Sequence, residues 1–182
     1  MKRSAIILVE TCEIEAFLAF LRLAEFDHIE SIEEDCFLVQ FDEDTGLTLD
    51  HLRELSLEEL YVDFRSFILP PIFLSAQKEV RDYLRLVPDG SYEFSSLIAT
   101  LAKLSEWHPL RRFKRILTER FDTETLTTVK GFIENDMNAS RASKALYLHR
   151  NTLSYRLDHF IAQSALDVRT FAGAYAYYLL FS

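Results

Sequence analysis

Asn138-Ala139-Ser140-Arg141-Ala142-Ser143-Lys144-Ala145-Leu146-Tyr147-Leu148-His149-Arg150-Asn151-Thr152-Leu153-Ser154-Tyr155-Arg156-Leu157 is the stretch that decides how the C-terminal part of this chain is read. Ser140 or Asn138 can cap a short helix that ends near Leu146 and is built on Ala142, Ala145 and Leu146. Small residues on its contact face allow a second helix to cross closely. Tyr147-Leu148-His149 then reads as a three-residue turn, with Leu148 expected to plug the core between the helices. The second helix is expected from Arg150 to about Ile161, with Leu153, Leu157, Phe160 and Ile161 on its apolar stripe. At ~100° per residue the opposite face shows Asn151, Thr152, Tyr155 and His159, with Arg156 on the flank and Arg150 in the first turn. Two helices joined in this way form a helix-turn-helix whose second helix is polar and cationic.

Those side chains have the chemistry that duplex DNA presents. Arginine forks onto the O6 and N7 of guanine, and asparagine pairs with adenine, both in the major groove. Thr, Tyr and His hydrogen-bond phosphate oxygens and fix register, and a helix N-terminus itself favours a phosphate. A helical hairpin with a solvated outer face would give much of the same pattern.

The stretch resembles the C-terminal helix-turn-helix of PucR/CdaR-type regulators, of purine catabolism and sugar-diacid use, and more distantly the Fis-type helix-turn-helix. The resemblance rests on Thr125-Leu126, Phe132-Ile133-Glu134-Asn135, Asn138-Ala139-Ser140, Lys144-Ala145-Leu146, His149-Arg150-Asn151-Thr152-Leu153, Tyr155-Arg156-Leu157 and Leu166-Asp167-Val168-Arg169. It runs from about Asp122 to Leu180. It implies a transcription regulator whose recognition helix enters the major groove of double-stranded DNA. The implied DNA-binding set is Ser140, Arg141, His149, Arg150, Asn151, Thr152, Ser154, Tyr155 and Arg156. Within it Arg150 would touch bases, Asn151 and Thr152 base edges or phosphates, and Tyr155 and Arg156 the backbone. Two positions depart from the pattern. Ser154 stands where members carry a basic residue, which should flatten the salt dependence of binding by about one unit. Ser143 replaces an alanine and is small enough to fit.

Working outward, the N-terminal region reads β-α-β-β-α-β. Ser4 to Val9 is a buried-strand pattern, and Glu13 to Phe26 has helical spacing. His28 to Ile32 and Cys36 to Phe41 flank Glu33-Glu34-Asp35 as a hairpin. Asp50 to Leu60 is a short helix, and Tyr61 to Leu69 a strand stopped by Pro70-Pro71. The expected fold class is α+β: a small ferredoxin-like layer of four antiparallel strands, then an all-α region. The order is also similar to the degenerate GGDEF-like domain found in PucR/CdaR-type proteins. On that likeness Glu33 and Glu34 replace both glycines of the hairpin motif, so the domain would be catalytically dead and serve regulation or dimerisation. Past the prolines the strand signals end. Helices are expected over Ser75 to Leu86, Phe94 to Trp107 and Pro109 to Phe121, with another capped by Asp122 or Thr123. The expected domains are 1–70, regulatory or dimerising; 71–121, a helical connector; and 122–182, the helix-turn-helix.

Charge follows the same division. Residues 1–70 carry 5 Lys/Arg and 17 Asp/Glu, a net of −12, within a chain of net −9. The remainder is therefore net positive, and Arg141, Lys144, Arg150 and Arg156 face only Asp158 between Asn138 and Ala162. Such asymmetry suggests two units with different partners. The competing reading is a non-enzymatic interaction or scaffold protein, with a vestigial helix-turn-helix and an acidic partner-binding N-terminal domain.

Composition excludes several classes. The 182 residues are 49% apolar and 27% charged, enough to bury a core. Four glycines, none within 40 residues of another, exclude dinucleotide fingerprints, Walker A loops and nucleophile elbows. Cys12 and Cys36 form no C-x-x-C, which suits a reducing cytosol. The five histidines are scattered without ligand spacing, so no metal, cofactor or catalytic constellation is expected. No apolar run approaches the roughly 20 residues of a membrane span, so a cytoplasmic protein is expected. Trp107 is expected in the core, and Arg111-Arg112-Phe113-Lys114-Arg115 on a solvated helix face. Phe171 to Phe181 is apolar nearly all round and must be buried in the domain or in a homodimer. A homodimer would also supply a second recognition helix. Nothing in the sequence names a small-molecule effector.

Overall fold

The computed structural model describes residues 2–11, 13–24, 26–42, 46 and 48–182, so Cys12 lies outside the described residues. The chain forms two compact units, one of residues 1–69 with 73–93 and the other of 70–72 with 94–182. It is α+β: a mixed sheet with helices, followed by helices alone.

The first unit contains β1 (Lys2–Val9), α1 (Ile14–Leu23), β2 (His28–Glu33), β3 (Cys36–Asp42), α2 (Leu49–Leu60), β4 (Phe64–Ile68), α3 (Gln77–Leu84) and β5 (Gly90–Tyr92). The sheet order is β2-β3-β1-β4-β5. β1 pairs antiparallel with both β3 and β4, which is the ferredoxin-like arrangement that the element order predicts. The expected count of four antiparallel strands is corrected to five in a mixed sheet, because Gly90–Tyr92 adds parallel to β4. Three residues carry no period-2 signal, so this strand is invisible to sequence pattern.

Ala5 to Val9 are all completely buried, which explains why β1 is apolar without alternation. Ala5, Ile7 and Val9 pack with Phe17, Leu21, Phe37, Val39, Leu52 and Phe64 beneath α1 and α2. α3 packs on β1 and β4. α3 and β5 therefore belong to the first unit, and the expected connector 71–121 is divided: its first part completes the sheet layer and its second opens the helical unit. Ser75 does not cap α3; the N-cap is Ala76, without a side-chain hydrogen bond.

The second unit contains α4 (Phe94–Lys103), α5 (Trp107–Arg120), α6 (Thr123–Glu134), α7 (Ala139–Ala145), α8 (Arg150–Ser164) and α9 (Phe171–Phe181). Phe94 meets Phe113 edge-on at 5.2 Å, and Phe160 packs between Phe121 and Tyr177. Trp107 is 53% exposed at the start of α5, so its expected place in the core is corrected. α9 buries Gly173, Ala174, Ala176, Tyr177 and Leu180. Its other face shows Phe171, Tyr175 and Tyr178, so burial within this unit covers about half of the helix. Gly173 sits so tightly that a Cβ there would lie 2.0 Å from the Asp167 carbonyl oxygen.

Candidate nucleic-acid interface

The candidate site is built on α6, α7 and α8. Asp122 caps α6 by accepting from the Thr125 N–H at 2.6 Å. That bond holds the Asp122 carboxyl below its ordinary range. Asp136 and Met137 take left-handed φ values of 57° and 56°, which turn the chain out of α6. The Asn138 side chain then accepts from the N–H groups of Ser140 and Arg141 at 3.0 and 3.1 Å and starts α7. Of the two expected caps, Asn138 is the one used.

Helices α6 and α7 meet at Gly131. A Cβ there would lie 2.7 Å from Cδ2 of Leu146, so the missing side chain is what lets Leu146 seat. Leu146 fills this gap, and both it and Leu148, the expected plug, are half-buried. Ala145 is exposed rather than packed, and Ala142 carries the α7 contact at full burial. Tyr147, at φ 54°, ends the helix. His149 starts α8: its Nδ1 accepts from the Asn151 N–H at 3.2 Å. Of the expected stripe, Leu153, Leu157 and Phe160 are buried and anchor α8 to the core, while Ile161 is half-buried. The helix runs to Ser164, three residues beyond the expected end, and stops at Ala165 in the left-handed region. Ala162 and Gln163 are good helix formers, so nothing before Ala165 breaks it.

Ser140, Arg141, His149, Arg150, Asn151, Thr152, Ser154 and Tyr155 are all exposed. Asn151, Thr152, Ser154 and Tyr155 share the solvent side of α8, opposite Leu153 and Leu157, and Tyr155 stacks parallel to His159 at 6.4 Å. Ser140 and Arg141 lie at the start of α7. The cations differ in how they are held. Arg141 is paired with Asp136, and Arg169 with Asp158 at 2.7 Å. Arg156 is half-buried against α6, with Nη2 on Glu124 and Nη1 donating to the Thr128 hydroxyl at 3.2 Å. Lys144 and Arg150 have no carboxylate partner among the described residues. Glu124 stands 32 residues from Arg156, and no local signal connects them.

The family comparison falls on these same elements. Residues 125–182 match the PucR C-terminal helix-turn-helix domain. The match covers the C-terminal third of the chain. The chain is also similar to part of the uncharacterised protein YxkF of Bacillus subtilis (strain 168), 42% identical over 59 residues. That match takes in 32% of this chain and 20% of YxkF, so the chain spans about a fifth of the length of that relative. In fold, the chain is similar to the crystal structure of a regulator of polyketide synthase expression from Bifidobacterium adolescentis, with a TM-score of 0.50 at 16% identity, covering 99% of this chain and 78% of that one. In sequence, the matched segment follows the residues of the sheet-bearing unit.

The hairpin expected to mark a GGDEF-like motif has two of its three carboxylates engaged. Glu33 pairs with Arg81, and Asp35 with Arg85 at 2.6 Å, both arginines being on or next to α3. Cys36, directly after the hairpin, is buried, and burial pushes its thiol up to about 12. No group of three or more His, Cys, Asp or Glu among the described residues could hold a metal ion. No helix among them is long and apolar enough to cross a membrane.

Proposed function

We propose that this chain is a cytoplasmic, non-catalytic transcription regulator that binds double-stranded DNA as a homodimer, with α8 in the major groove. The observation that carries this reading is the outer face of α8. Arg150, Asn151, Thr152 and Tyr155 are exposed on a helix whose start and core contacts are supplied by other residues. Rigidly presented, uncommitted side chains of these types suit base edges and phosphates. Arg150 and Asn151 read bases. Thr152, Ser154, Tyr155, His149 and Ser140 contact the backbone, joined by Arg141 when it exchanges Asp136 for a phosphate. Arg156 is a positioning residue that fixes α8 on α6. The sheet unit serves regulation or dimerisation. The aromatic stripe of Phe171, Tyr175 and Tyr178 on α9 gives a second protomer an apolar surface to meet.

The test is fluorescence anisotropy with genomic fragments, comparing wild type and Arg150→Ala from 50 to 200 mM salt. Selective binding that weakens with salt is expected. Arg150→Ala should lose about 1–3 kcal/mol on the selected site and little elsewhere. Absence of binding at the lowest salt would replace this reading with the scaffold alternative.

A further inference from the structure

The matched domain begins at residue 125, yet the surface that continues α8 does not stop there. Arg120, the last residue of α5, is exposed, and its Nη2 donates to Gln163 Oε1 at 2.9 Å. This joins α5 to the C-terminal end of α8. Thr152, Tyr155, His159 and Gln163 follow at spacings of three and four, so they form one ridge along the helix. The ridge is ordered by its aromatic members. Tyr155 stacks on His159, and Phe121, next to Arg120, meets His159 nearly perpendicular at 5.8 Å.

Charge sets Arg120 apart from its neighbours. Arg115 lies 3.5 Å from Glu119, Arg156 is matched by Glu124, and Arg169 by Asp158. The adjacent Asp122 is occupied at the N-terminus of α6. Arg120 is held by a neutral amide instead, which fixes the guanidinium in place without cancelling its charge. Distance gives this arrangement a target. From Thr152 to Gln163 the helix advances about 16 Å at 1.5 Å per residue. The major groove is about 12 Å wide. A helix that enters with its N-terminal residues at base edges and its axis inclined across the groove therefore carries its far end past the rim, where the phosphates are.

We infer that Arg120, outside the matched helix-turn-helix, is a DNA-phosphate contact that Gln163 holds at the distal end of α8. The inference rests on α8 being the recognition helix, and its failure is distinguishable from the failure of that reading. The experiment measures binding of wild type, Arg120→Gln and Arg120→Lys to a selected fragment and to an unrelated duplex between 50 and 200 mM salt, with circular dichroism and thermal melts on each variant. Each phosphate contact adds about 0.9 to the slope of log affinity against log salt. Over this fourfold salt range wild type should lose about 3.5 times more affinity per protomer than Arg120→Gln. The deficit should be equal on both duplexes, unlike that of Arg150→Ala, and Arg120→Lys should keep the wild-type slope. A folded Arg120→Gln with the wild-type slope overturns the contact and leaves the recognition helix standing. A slope that falls equally in Arg120→Lys overturns it too, because charge would then not be the cause. Wild type that binds neither duplex overturns both.

Discussion

Arg156 sits on α8, the proposed recognition helix, yet its guanidinium lies against α6. The informative perturbation is Arg156→Ala set beside Glu124→Gln. In the first variant the buried Thr128 hydroxyl loses the donor at 3.2 Å but still donates to the Glu124 carbonyl at 2.7 Å, so it is not stranded. A hydrogen bond from a charged group is worth about 1.5–3 kcal/mol at full strength. The Glu124 half of the arrangement is discounted, because that side chain is 73% exposed and such pairs contribute about 0–1 kcal/mol. A loss of about 1–2 kcal/mol follows. For a domain of this size that lowers Tm by about 4–15 °C, by calorimetry. DNA binding should keep its salt slope, since the charge removed was already matched. Glu124→Gln makes the opposite expectation: small stability change, and a slope steeper by about 0.9 per protomer, because Arg156 is released toward phosphate. If Arg156→Ala melts like wild type while its slope falls by about one, Arg156 is a phosphate contact and its clamping role is wrong.

Two further outcomes follow from packing and charge. Gly173→Ala drives a Cβ to 2.0 Å from the Asp167 carbonyl oxygen, a backbone atom that cannot rotate away. It should destabilise the helical unit by about 1–3 kcal/mol despite alanine's better helix propensity, and a melt at the wild-type temperature would refute the close approach. In the sheet unit, Arg53 grips both carboxylate oxygens of Asp63 at 2.5 and 2.7 Å and holds that carboxyl below its ordinary range. A carboxyl with a depressed folded pKa contributes stability that is complete above its unfolded value of about 3.9 and lost as pH falls through the folded one. Asp63→Asn should therefore cost stability at pH 7 and leave a shallower loss below about pH 4, read from denaturant midpoints against pH. Parallel curves for the two proteins would remove Asp63 from the acid response.

What could be read in the sequence was whatever declares itself locally. The stripe Leu153, Leu157 and Phe160, the caps Asp122 and Asn138, and the apolar run of β1 each carry their own periodicity or hydrogen-bonding logic. What escaped depends on partners far along the chain. β5 is three residues long and exists because Phe64–Ile68 offers it an edge. Trp107 has core composition but opens α5 on its outer side. Leu146 seats against α6 because Gly131, on another helix, leaves the space. For the site, the sequence located the exposed set on α7 and α8 but not which cations are neutralised. Asp136, Glu124 and Asp158 make that distinction only once the chain is folded.

The cap at the start of α8 has an outward consequence. His149 Nδ1 accepts the Asn151 N–H, so in that tautomer the ring's proton resides on Nε2. The exposed imidazole thereby turns its Nε2–H outward at the start of α8. A phosphate oxygen can accept from such a donor through a directional hydrogen bond. Any contact it makes would be aimed by the same bond that starts the helix.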